Sequence, residues 1–340
     1  MEPRLAIVGA TGLVGSVIRR VLEERKFPYR SVKFLASSKS PGRTVAFNGK
    51  EHPVEALAAN SFKDVDIVLS STPASVSREF SPIAAKAGAV VVDNSSAWRM
   101  DANTPLVVPE VNADAIARHR GIIANPNCAT IQLVVALKPL HDAAKIKRVV
   151  IATYQSSSGK GASALAELEA QTAALGRGEA VPAAKVHKHQ LADNCVPNDW
   201  TPGEDGYTEE ESKIMAETRK IMGDDSIRVS ATCVRVPVRV GHGEAVNVEF
   251  ERPLSADEAR AILRKAPGVM VLDGEDGVPL QLDAAGRDET FVGRIRRDPT
   301  VEHGLNLWVV ADNLRKGAAT NAVQIAECLL PTLRERRPVS

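Results

Sequence analysis

The fold is decided by the stretch Leu5-Ala6-Ile7-Val8-Gly9-Ala10-Thr11-Gly12-Leu13-Val14-Gly15 near the start of the chain. An apolar run typical of a buried parallel strand leads into spaced glycines, and a helical pattern from Ser16 to Glu24 follows them. This order is a variant of the dinucleotide-binding fingerprint: Gly9 permits the tight turn, Gly12 admits a pyrophosphate, and Gly15 lets helix and strand pack closely. We predict a dinucleotide site here; a close-packed turn without a ligand is the alternative.

The second predicted strand, Val32 to Ala36, indicates which dinucleotide is bound. NAD-binding chains place an acidic residue about 20 positions after the glycines, where it binds the ribose hydroxyls. This chain has no acid there, and the loop from Ser37 to Arg43 instead offers hydroxyl groups and two cations that suit a 2′-phosphate. The sequence therefore favours NADP over NAD, with a solvated serine-rich loop as the alternative.

The alternation of strands and helices predicts the fold class. As far as about Leu137 the pattern is typical of an α/β protein with a Rossmann-like, doubly wound parallel sheet. Beyond Lys147 the strands become longer and alternate in polarity, which indicates a second α+β domain with a mixed or antiparallel sheet. The strands predicted for this second domain are Arg148 to Gln155, Ile227 to Val240, Ala245 to Glu251, Thr290 to Arg297 and Leu305 to Ala311.

Composition limits the class of protein. With 340 residues, 44% of them hydrophobic, the chain can bury a large core and is expected to form about two domains. A formal net charge of +1 gives no field that would attract nucleic acid or an anionic membrane, and no apolar stretch reaches membrane-spanning length. The first strand begins within the first few residues and leaves no room for a signal peptide, so we expect a cytoplasmic protein.

The cysteines and histidines give no pattern typical of a metal site. Cys128, Cys195, Cys233 and Cys328 lie far apart, without a CxxC pair or a zinc spacing, so we expect free thiols and no metal. The close histidine pair in His187-Lys188-His189 has no third ligand nearby, which favours a solvated loop.

Cys128 is expected to be a reactive thiol because of its neighbours. It stands in Asn125-Pro126-Asn127-Cys128-Ala129-Thr130, after an apolar run and before an apolar helical pattern, Ile131 to Leu137. The N-terminus of a helix carries partial positive charge and free N–H groups, which stabilise a thiolate and an oxyanion forming beside it. The alternative for a lone cysteine is a small apolar filler of the core.

Together with further motifs, these features resemble aspartate-β-semialdehyde dehydrogenase over nearly the whole chain and in order. The motifs are Gly9 to Gly15, Asp93-Asn94-Ser95-Ser96-Ala97-Trp98-Arg99-Met100-Asp101, Val108-Pro109-Glu110-Val111-Asn112, Asn125-Pro126-Asn127-Cys128, Thr153-Tyr154-Gln155, Cys233-Val234-Arg235-Val236-Pro237-Val238 and Asn313-Leu314-Arg315-Lys316-Gly317. The resemblance implies that NADPH reduces L-aspartyl-4-phosphate to L-aspartate 4-semialdehyde and phosphate through a cysteine thioester, in lysine, threonine and methionine biosynthesis. It also implies an NADP-binding domain of residues 1–127 plus 318–340, and a catalytic domain of residues 128–317 that forms a homodimer.

The catalytic residues implied by the resemblance are Cys128 as nucleophile, His242 as acid and base, and Gln155, which orients the substrate. His242 also lies in a glycine-flanked break that is predicted to follow a long strand, and a histidine suits proton transfer near neutral pH. A surface histidine in a turn is the alternative for His242, and a strand-end hydrogen bond is the alternative for Gln155.

The substrate-binding residues implied by the resemblance are Arg99, Asn127 and Lys213 for the phosphate, Arg235 for the α-carboxylate and Glu210 for the α-ammonium group. A guanidinium in an apolar strand is costly to bury without a partner, so we expect a bidentate partner for Arg235; a structural ion pair is the alternative. Arg99 follows a strand end, where doubly wound sheets collect ligands. Surface pairing is the alternative for Glu210 and Lys213.

The cofactor-binding residues predicted for the chain are Gly9, Thr11, Gly12, Leu13, Val14, Gly15, Ser37, Ser38, Lys39, Ser40, Thr72, Gly159 and Gln324. Two departures from the family pattern lie close to this set. Ser70-Ser71-Thr72-Pro73-Ala74 stands where many relatives have a glycine pair, and the proline stiffens that loop. Lys160 stands where alanine is common, and it either touches an anion or faces water.

Three other functions compete with this interpretation. N-acetyl-γ-glutamyl-phosphate reductase shares fold and chemistry, but its cysteine is expected in an Asn-Pro-Gly-Cys-Tyr-Pro pattern, and its acetylated substrate has no ammonium group to match Glu210. A short-chain dehydrogenase shares the spaced glycines, but its Tyr-x-x-x-Lys pattern occurs here at Tyr29 to Lys33, too early to face a nicotinamide. A non-catalytic NADP-sensing protein would keep the glycines without needing Cys128, Arg235 or His242.

Overall fold

The computed structural model describes residues 2–37 and 42–335, which fall into two compact units. The first unit comprises Met1–Pro126 and Ala318–Ser340, and the second comprises Asn127–Gly317. Within the described residues, the first unit holds a seven-stranded sheet and the second a six-stranded sheet. The first sheet is mostly parallel and the second is mixed, which confirms the fold class predicted from the sequence.

The sheet of the first unit has the first strand of the chain at its centre. They are β1 (Arg4–Val8), β2 (Ser31–Ala36), β3 (Thr44–Phe47), β4 (Lys50–Ala56), β5 (Ile67–Ser70), β6 (Val90–Asp93) and β7 (Ile122–Ala124). Their order is β3-β4-β2-β1-β5-β6-β7, and the pairs are parallel except for β3 with β4. β1 is buried on both faces, as its apolar run predicted.

The strands of the second unit form the mixed sheet. They are β8 (Ile146–Gln155), β9 (Arg228–Arg235), β10 (His242–Phe250), β11 (Val269–Val271), β12 (Thr290–Arg297) and β13 (Gly304–Ala311). Their order is β11-β12-β13-β10-β8-β9, with β8 parallel to β9 and β11 parallel to β12. One face is buried, because residues of β8 alternate between buried positions and exposed ones such as Val150 and Tyr154.

The helices of both units follow in chain order. They are α1 (Leu13–Glu24), α2 (Ala74–Lys86), α3 (Pro109–Asn112), α4 (Cys128–Ala144), α5 (Ala162–Gly176), α6 (Glu209–Met222), α7 (Ala256–Leu263), α8 (Gln281–Ala284) and α9 (Thr320–Glu335). In the second unit, α4 packs against α6 and against the sheet, which buries most of its residues. Among the described residues, none of these helices combines the length and apolar character needed to cross a membrane.

The edge hairpin of β3 and β4 was not predicted from the sequence. Asn48 and Gly49 connect its strands with φ angles of 49° and 70°, a left-handed pair typical of tight hairpin turns. Alternate residues of β3 are exposed, so the segment lacks the apolar run that marked the central strands. Phe47 fixes the hairpin by packing edge-on against Phe34 of β2, with ring centroids 5.5 Å apart.

The long strand predicted from Ile227 to Val240 is wrong. β9 ends at Arg235, because Pro237 cannot donate a hydrogen bond to a continuing ladder. Gly241, with φ of +93°, then turns the chain into β10. His242 is therefore the first residue of a strand and does not lie in a break between strands.

Candidate active site

Cys128 is the first residue of α4, and Asn127 is the N-cap of that helix. The side-chain oxygen of Asn127 accepts hydrogen bonds from the backbone N–H groups of Ala129 at 2.9 Å and Thr130 at 3.4 Å. The backbone N–H of Asn127 donates to Glu217 at 2.6 Å, which anchors the cap to α6. The half-buried thiol thus lies at the positive end of a capped helix, where a thiolate is favoured.

His242 faces this sulfur, with its Nε2 atom 3.2 Å from Cys128 Sγ. The backbone N–H of Ser156 donates to the imidazole Nδ1 at 3.0 Å, so a neutral ring carries its proton on Nε2. Burial, together with the positive charge of Arg235, lowers the pKa of His242 to about 3. The sequence suggested a group that titrates near neutral pH; instead the structure holds a neutral imidazole whose N–H points at the sulfur.

A network of buried side chains fixes the orientation of this imidazole. Ser156 Oγ lies 3.1 Å from His242 Nδ1 and donates to Asn313 Oδ1 at 3.0 Å. The same amide oxygen accepts hydrogen bonds from Ser158 Oγ at 3.2 Å and from the backbone N–H of Gly241 at 2.8 Å. Asn313 therefore connects the loop after β8 to the start of β10, on which His242 lies.

Glu210, in the first turn of α6, brings a second group of predicted residues together. Its Oε1 atom accepts hydrogen bonds from Asn127 Nδ2 at 2.9 Å and from Gln155 Nε2 at 3.4 Å. The Nζ atom of Lys213 lies 4.0 Å from Glu210 Oε2 and 3.7 Å from Glu209 Oε1. Glu210 is buried and Lys213 is more exposed, so a shielded anion and an accessible cation lie side by side.

A capping box positions the start of α6, and its glutamate also contacts Cys233, whose thiol differs in reactivity from that of Cys128. Thr208 Oγ1 accepts from the backbone N–H of Glu211 at 3.4 Å, and Glu211 Oε2 accepts from that of Thr208 at 2.7 Å. The other carboxylate oxygen of Glu211 accepts from the backbone N–H of Cys233 at 2.8 Å. Burial raises the pKa of the Cys233 thiol far above its usual value, and the negative charge of the nearby Glu210 adds to the rise. This excludes Cys233 as a nucleophile near neutral pH.

Arg235, the last residue of β9, is buried and held on three sides. Its Nε donates to Asp199 Oδ2 at 3.2 Å, its Nη1 donates to the Ser156 carbonyl at 2.6 Å, and the guanidinium stacks 4.5 Å from the Trp200 ring centroid. The carboxylate that the buried charge required is Asp199. The structure shows a contact through Nε in place of the predicted bidentate pair.

Two glycines keep space around these groups. A Cβ atom at Gly159 would lie 3.0 Å from Arg235 Nη1 and 3.4 Å from His242 Nε2. A Cβ atom at Gly317 would lie 2.9 Å from the Cβ of Cys128. The absence of side chains at these positions leaves room beside the guanidinium, the imidazole and the sulfur within the second unit.

The glycine turn of the first unit has the geometry of an anion cradle. Gly9 has φ of +81°, and a Cβ there would lie 2.2 Å from the Ser71 carbonyl oxygen. A Cβ at Gly15 would lie 2.2 Å from the Gly9 carbonyl oxygen, so the turn and α1 pack as closely as predicted. Gly12 is the N-cap of α1 and makes no side-chain cap, and the first turn contains no acid. The turn therefore fits the pyrophosphate of a dinucleotide.

Several other predicted cofactor residues lie on or near this turn. Thr11 is exposed between the glycines, and Leu13 and Val14 are the first, half-buried residues of α1. Thr72 follows β5, the strand beside β1, and its Oγ1 lies 3.3 Å from Ser70 Oγ. These positions are at the carboxyl ends of neighbouring parallel strands, where such sheets bind ligands.

The remaining predicted cofactor residues lie at other places. Ser37 is exposed directly after β2, and Ser38 to Ser40 lie outside the described residues. Gln324 lies on α9 and donates to Glu110 Oε1 at 2.8 Å. The proposed preference for a 2′-phosphate thus depends on a loop of which Ser37, Gly42 and Arg43 lie within the described residues.

Arg99 lies in the first unit, as its place after β6 predicted. Its Nε donates to the Asn125 carbonyl at 3.0 Å, and its Nη2 donates to the Asn94 carbonyl at 2.9 Å. These carbonyls directly follow β7 and β6, so the guanidinium is fixed at the carboxyl edge of the sheet.

Sequence reasoning missed Asp199 and misplaced His187. His187 is buried instead of solvated: its Nδ1 lies 2.9 Å from Asp199 Oδ2 and its Nε2 lies 2.9 Å from Ser157 Oγ. Asp199 lies in an irregular segment without periodicity, and the requirement of Arg235 for a partner was the signal that could have led to it. In the described parts of the chain, no group of three or more metal-ligating side chains occurs.

Comparison with known proteins identifies the family. A model described as "Semialdehyde dehydrogenase, NAD binding domain" matches residues 4–119, and one described as "Semialdehyde dehydrogenase, dimerisation domain" matches residues 137–316. Aspartate-semialdehyde dehydrogenase of Aquifex aeolicus (strain VF5) is 55% identical over 335 residues, 97% of this chain and 98% of the relative. The chain belongs to the aspartate-semialdehyde dehydrogenase family.

Solved structures of aspartate-semialdehyde dehydrogenases agree with this assignment. Aspartate semialdehyde dehydrogenase II of Vibrio cholerae, complexed with ASA, is 48% identical with a TM-score of 0.95, over 97% of this chain and 99% of that one. The Candida albicans aspartate semialdehyde dehydrogenase with NADP is 26% identical with a TM-score of 0.74, over 97% of this chain and 99% of that one. The resemblance inferred from the sequence motifs is therefore confirmed.

Proposed function

We propose that this chain reduces L-aspartyl-4-phosphate with NADPH to L-aspartate 4-semialdehyde and phosphate. The observation that carries this proposal is the pair of Cys128 Sγ and His242 Nε2, 3.2 Å apart at the N-terminus of α4. Membership of the aspartate-semialdehyde dehydrogenase family supports the same reaction, in lysine, threonine and methionine biosynthesis.

The proposed mechanism uses sulfur as nucleophile and leaving group. The Cys128 thiolate attacks the acyl carbon, the C–S bond forms, and phosphate leaves with the electron pair of the broken C–O bond. NADPH, when bound, supplies the hydride that reduces the thioester. His242 stabilises the oxyanion of the tetrahedral hemithioacetal with a hydrogen bond from its Nε2–H and keeps its own proton. The carbonyl then re-forms, the C–S bond breaks, and its electron pair returns to Cys128.

The substrate groups match the charges of the second unit. We assign the α-ammonium group to Glu210, whose carboxylate is shielded and already oriented by two amides, and the α-carboxylate to Arg235. Gln155 orients the substrate, and Asn127 and Lys213 are assigned to the phosphate; the role of Arg99 stays a prediction. A buried anion at Glu210 favours a free amino group over the acetylated amine of N-acetyl-γ-glutamyl phosphate.

We assign NADP to the glycine turn of the first unit. The backbone N–H groups of Leu13 and Val14 at the start of α1, beside Gly12, are the proposed pyrophosphate donors. The NADP complex of the Candida albicans relative supports this cofactor. The roles of Thr11, Ser37 to Ser40, Thr72, Gly159 and Gln324 stay predictions.

The predicted division into an NADP-binding domain, 1–127 with 318–340, and a catalytic domain, 128–317, is likewise proposed. The catalytic domain is proposed to form a homodimer, because its sheet leaves Val150 and Tyr154 39% and 38% exposed and its sequence matches a dimerisation domain. A sedimentation mass equal to one chain at micromolar concentration would exclude the dimer. Free thiols at Cys128, Cys195, Cys233 and Cys328 support a cytoplasmic location.

The test is phosphate-dependent reduction of NADP with L-aspartate 4-semialdehyde, run beside N-acetylglutamate semialdehyde. We expect turnover of the first aldehyde alone. Cys128→Ser should lower kcat by at least about 10³-fold while NADP still binds, because the hydroxyl is a far weaker nucleophile. Cys195→Ser, at an exposed thiol, is the control and should retain the rate. Wild-type turnover by Cys128→Ser would refute the mechanism.

A further inference from the structure

A buried carboxylate in the second unit is shared between two cations. Asp199 Oδ1 lies 2.8 Å from Lys160 Nζ, and Asp199 Oδ2 lies 3.2 Å from Arg235 Nε. His187 Nδ1 contacts Oδ2 at 2.9 Å, and the backbone N–H of Lys188 donates to Oδ1 at 3.0 Å. The Asp199 side chain is fully buried, so these groups replace water as its only solvation within the described residues.

Asp199 is ionised in this environment. Burial opposes the charge, but hydrogen bonds from His187 and Lys160 outweigh it and hold the carboxyl pKa well below its usual value. Asp199 therefore contributes one negative charge to the cluster, and Lys160 and Arg235 contribute one positive charge each. Loss of the Lys160 charge lowers the net charge of the cluster by one.

Lys160 is the outer member of this cluster. Its side chain is 23% exposed, whereas the side chain of Arg235 is 2% exposed. Next to Lys160 in sequence, Gly159 would place a Cβ 3.0 Å from Arg235 Nη1, so the same short turn leaves room at the guanidinium and supplies the second cation. An anion bound at Arg235 is thus attracted by a guanidinium whose partner carboxylate, Asp199, is already shared with Lys160.

We propose that Lys160 is a specificity-determining residue, which by sharing Asp199 leaves the positive charge of Arg235 available to the α-carboxylate of the substrate. This inference rests on the proposed function, in which Arg235 binds that carboxylate. Lys160 acts through Asp199 and Arg235 and is a positioning residue in the reaction. Its effect is confined to substrates that carry the carboxylate.

The first test compares two aldehydes with Lys160→Met, which keeps the length of the side chain and removes its charge. L-aspartate 4-semialdehyde carries the α-carboxylate, and 3-aminopropanal is the same molecule without it. We expect the KM for aspartate semialdehyde to rise about tenfold, with kcat and the KM for phosphate changed less than about threefold. The kcat/KM for 3-aminopropanal should stay at the wild-type value. Equal losses for both aldehydes, or a parallel rise in the KM for phosphate, would overturn the proposal.

The second test is rescue by Asp199→Asn in the Lys160→Met background. This isosteric change removes the negative charge that Lys160 no longer balances, so the net charge of the cluster returns to its wild-type value. We expect the KM for aspartate semialdehyde to return to within about threefold of wild type. A merely structural role of the ion pair predicts a double variant worse than Lys160→Met, and that result would overturn the proposal. Lys138→Met, which breaks the exposed pair with Asp142, is the control.

These outcomes separate the inference from the proposed function. Wild-type protein without phosphate-dependent turnover of aspartate semialdehyde refutes both. Active wild-type protein with Arg235→Ala defective and Lys160→Met normal refutes the inference alone. Thermal unfolding of each variant identifies any that fails to fold, and the substrate comparison in Lys160→Met decides the matter without the double variant.

Discussion

At the scale of single residues, the backbone decides the chemistry of His242. The N–H of Ser156 can only donate, so its contact with Nδ1 at 3.0 Å fixes the tautomer and directs the Nε2 proton to Cys128. The sequence predicted the cysteine and the histidine but not the tautomer, since it depends on a backbone group whose direction is set by the turn after β8. The low pKa of His242 follows from burial, which no local pattern revealed.

The hydroxyl of Ser156 is expected to contribute to the orientation of the imidazole. Ser156→Ala keeps the backbone N–H but removes the Oγ contact at 3.1 Å and the bond to Asn313. Loss of a buried hydrogen bond of about 1 kcal/mol corresponds to a fall in kcat of about fivefold, with the KM values for NADP and aspartate semialdehyde unchanged. The control is Thr172→Ala, whose hydroxyl donates to the Leu168 carbonyl within α5 and which should keep the wild-type kcat. Equal kcat values for the two variants in steady-state assays would contradict this role.

At the scale of elements, the sequence predicted those strands, turns and helices whose positions depend on neighbouring residues in the chain. β12, Thr290–Arg297, begins and ends where predicted, and the strand, turn and helix around Gly9 are present. The boundary between β9 and β10 was missed because Pro237 follows an apolar run that otherwise continues the strand pattern. Asp199 was missed because its partner, Arg235, is 36 positions away and is brought to it by the sheet.

The glycine turn gives a prediction about cofactor binding. Gly9→Ala would place a methyl group 2.2 Å from the Ser71 carbonyl oxygen, on a residue with φ of +81°. The turn between β1 and α1 must move, so we expect NADP affinity to fall at least about 100-fold in a fluorescence titration. The control is Gly88→Ala, which also has positive φ but meets nothing within 4 Å, and which should bind NADP as wild type does. Unchanged affinity in Gly9→Ala would remove the turn from the cofactor site.

At the scale of the whole molecule, two buried groups on β10 shape the dependence of stability on pH. Burial and Arg235 lower the pKa of His242 from 6.5 to about 3, so the folded chain resists its protonation. Burial raises the pKa of Glu244 well above 4.5, although the Gln132 amide opposes the shift. His242 therefore lowers the free energy of unfolding as pH falls from 6.5, and Glu244 lowers it as pH rises above 4.5. Between pH 4.5 and pH 6.5 the two effects cancel. The combined contribution of His242 and Glu244 to the free energy of unfolding is greatest in this range.

This balance predicts the effect of Glu244→Gln. In wild type the unfolded chain releases the Glu244 proton above pH 4.5 while the folded chain retains it, so stability declines with rising pH. The neutral amide removes that decline, and the difference in free energy of unfolding between Glu244→Gln and wild type should grow in favour of the variant from pH 5 to pH 8. Urea unfolding at pH 5, 6.5 and 8 measures it. Glu249→Gln, on the same strand but paired with Lys147, should give a constant difference over this range, since hydrogen bonding to Lys147 lowers the pKa of that carboxylate. Parallel profiles for Glu244→Gln and wild type would mean that the folded protein holds Glu244 ionised.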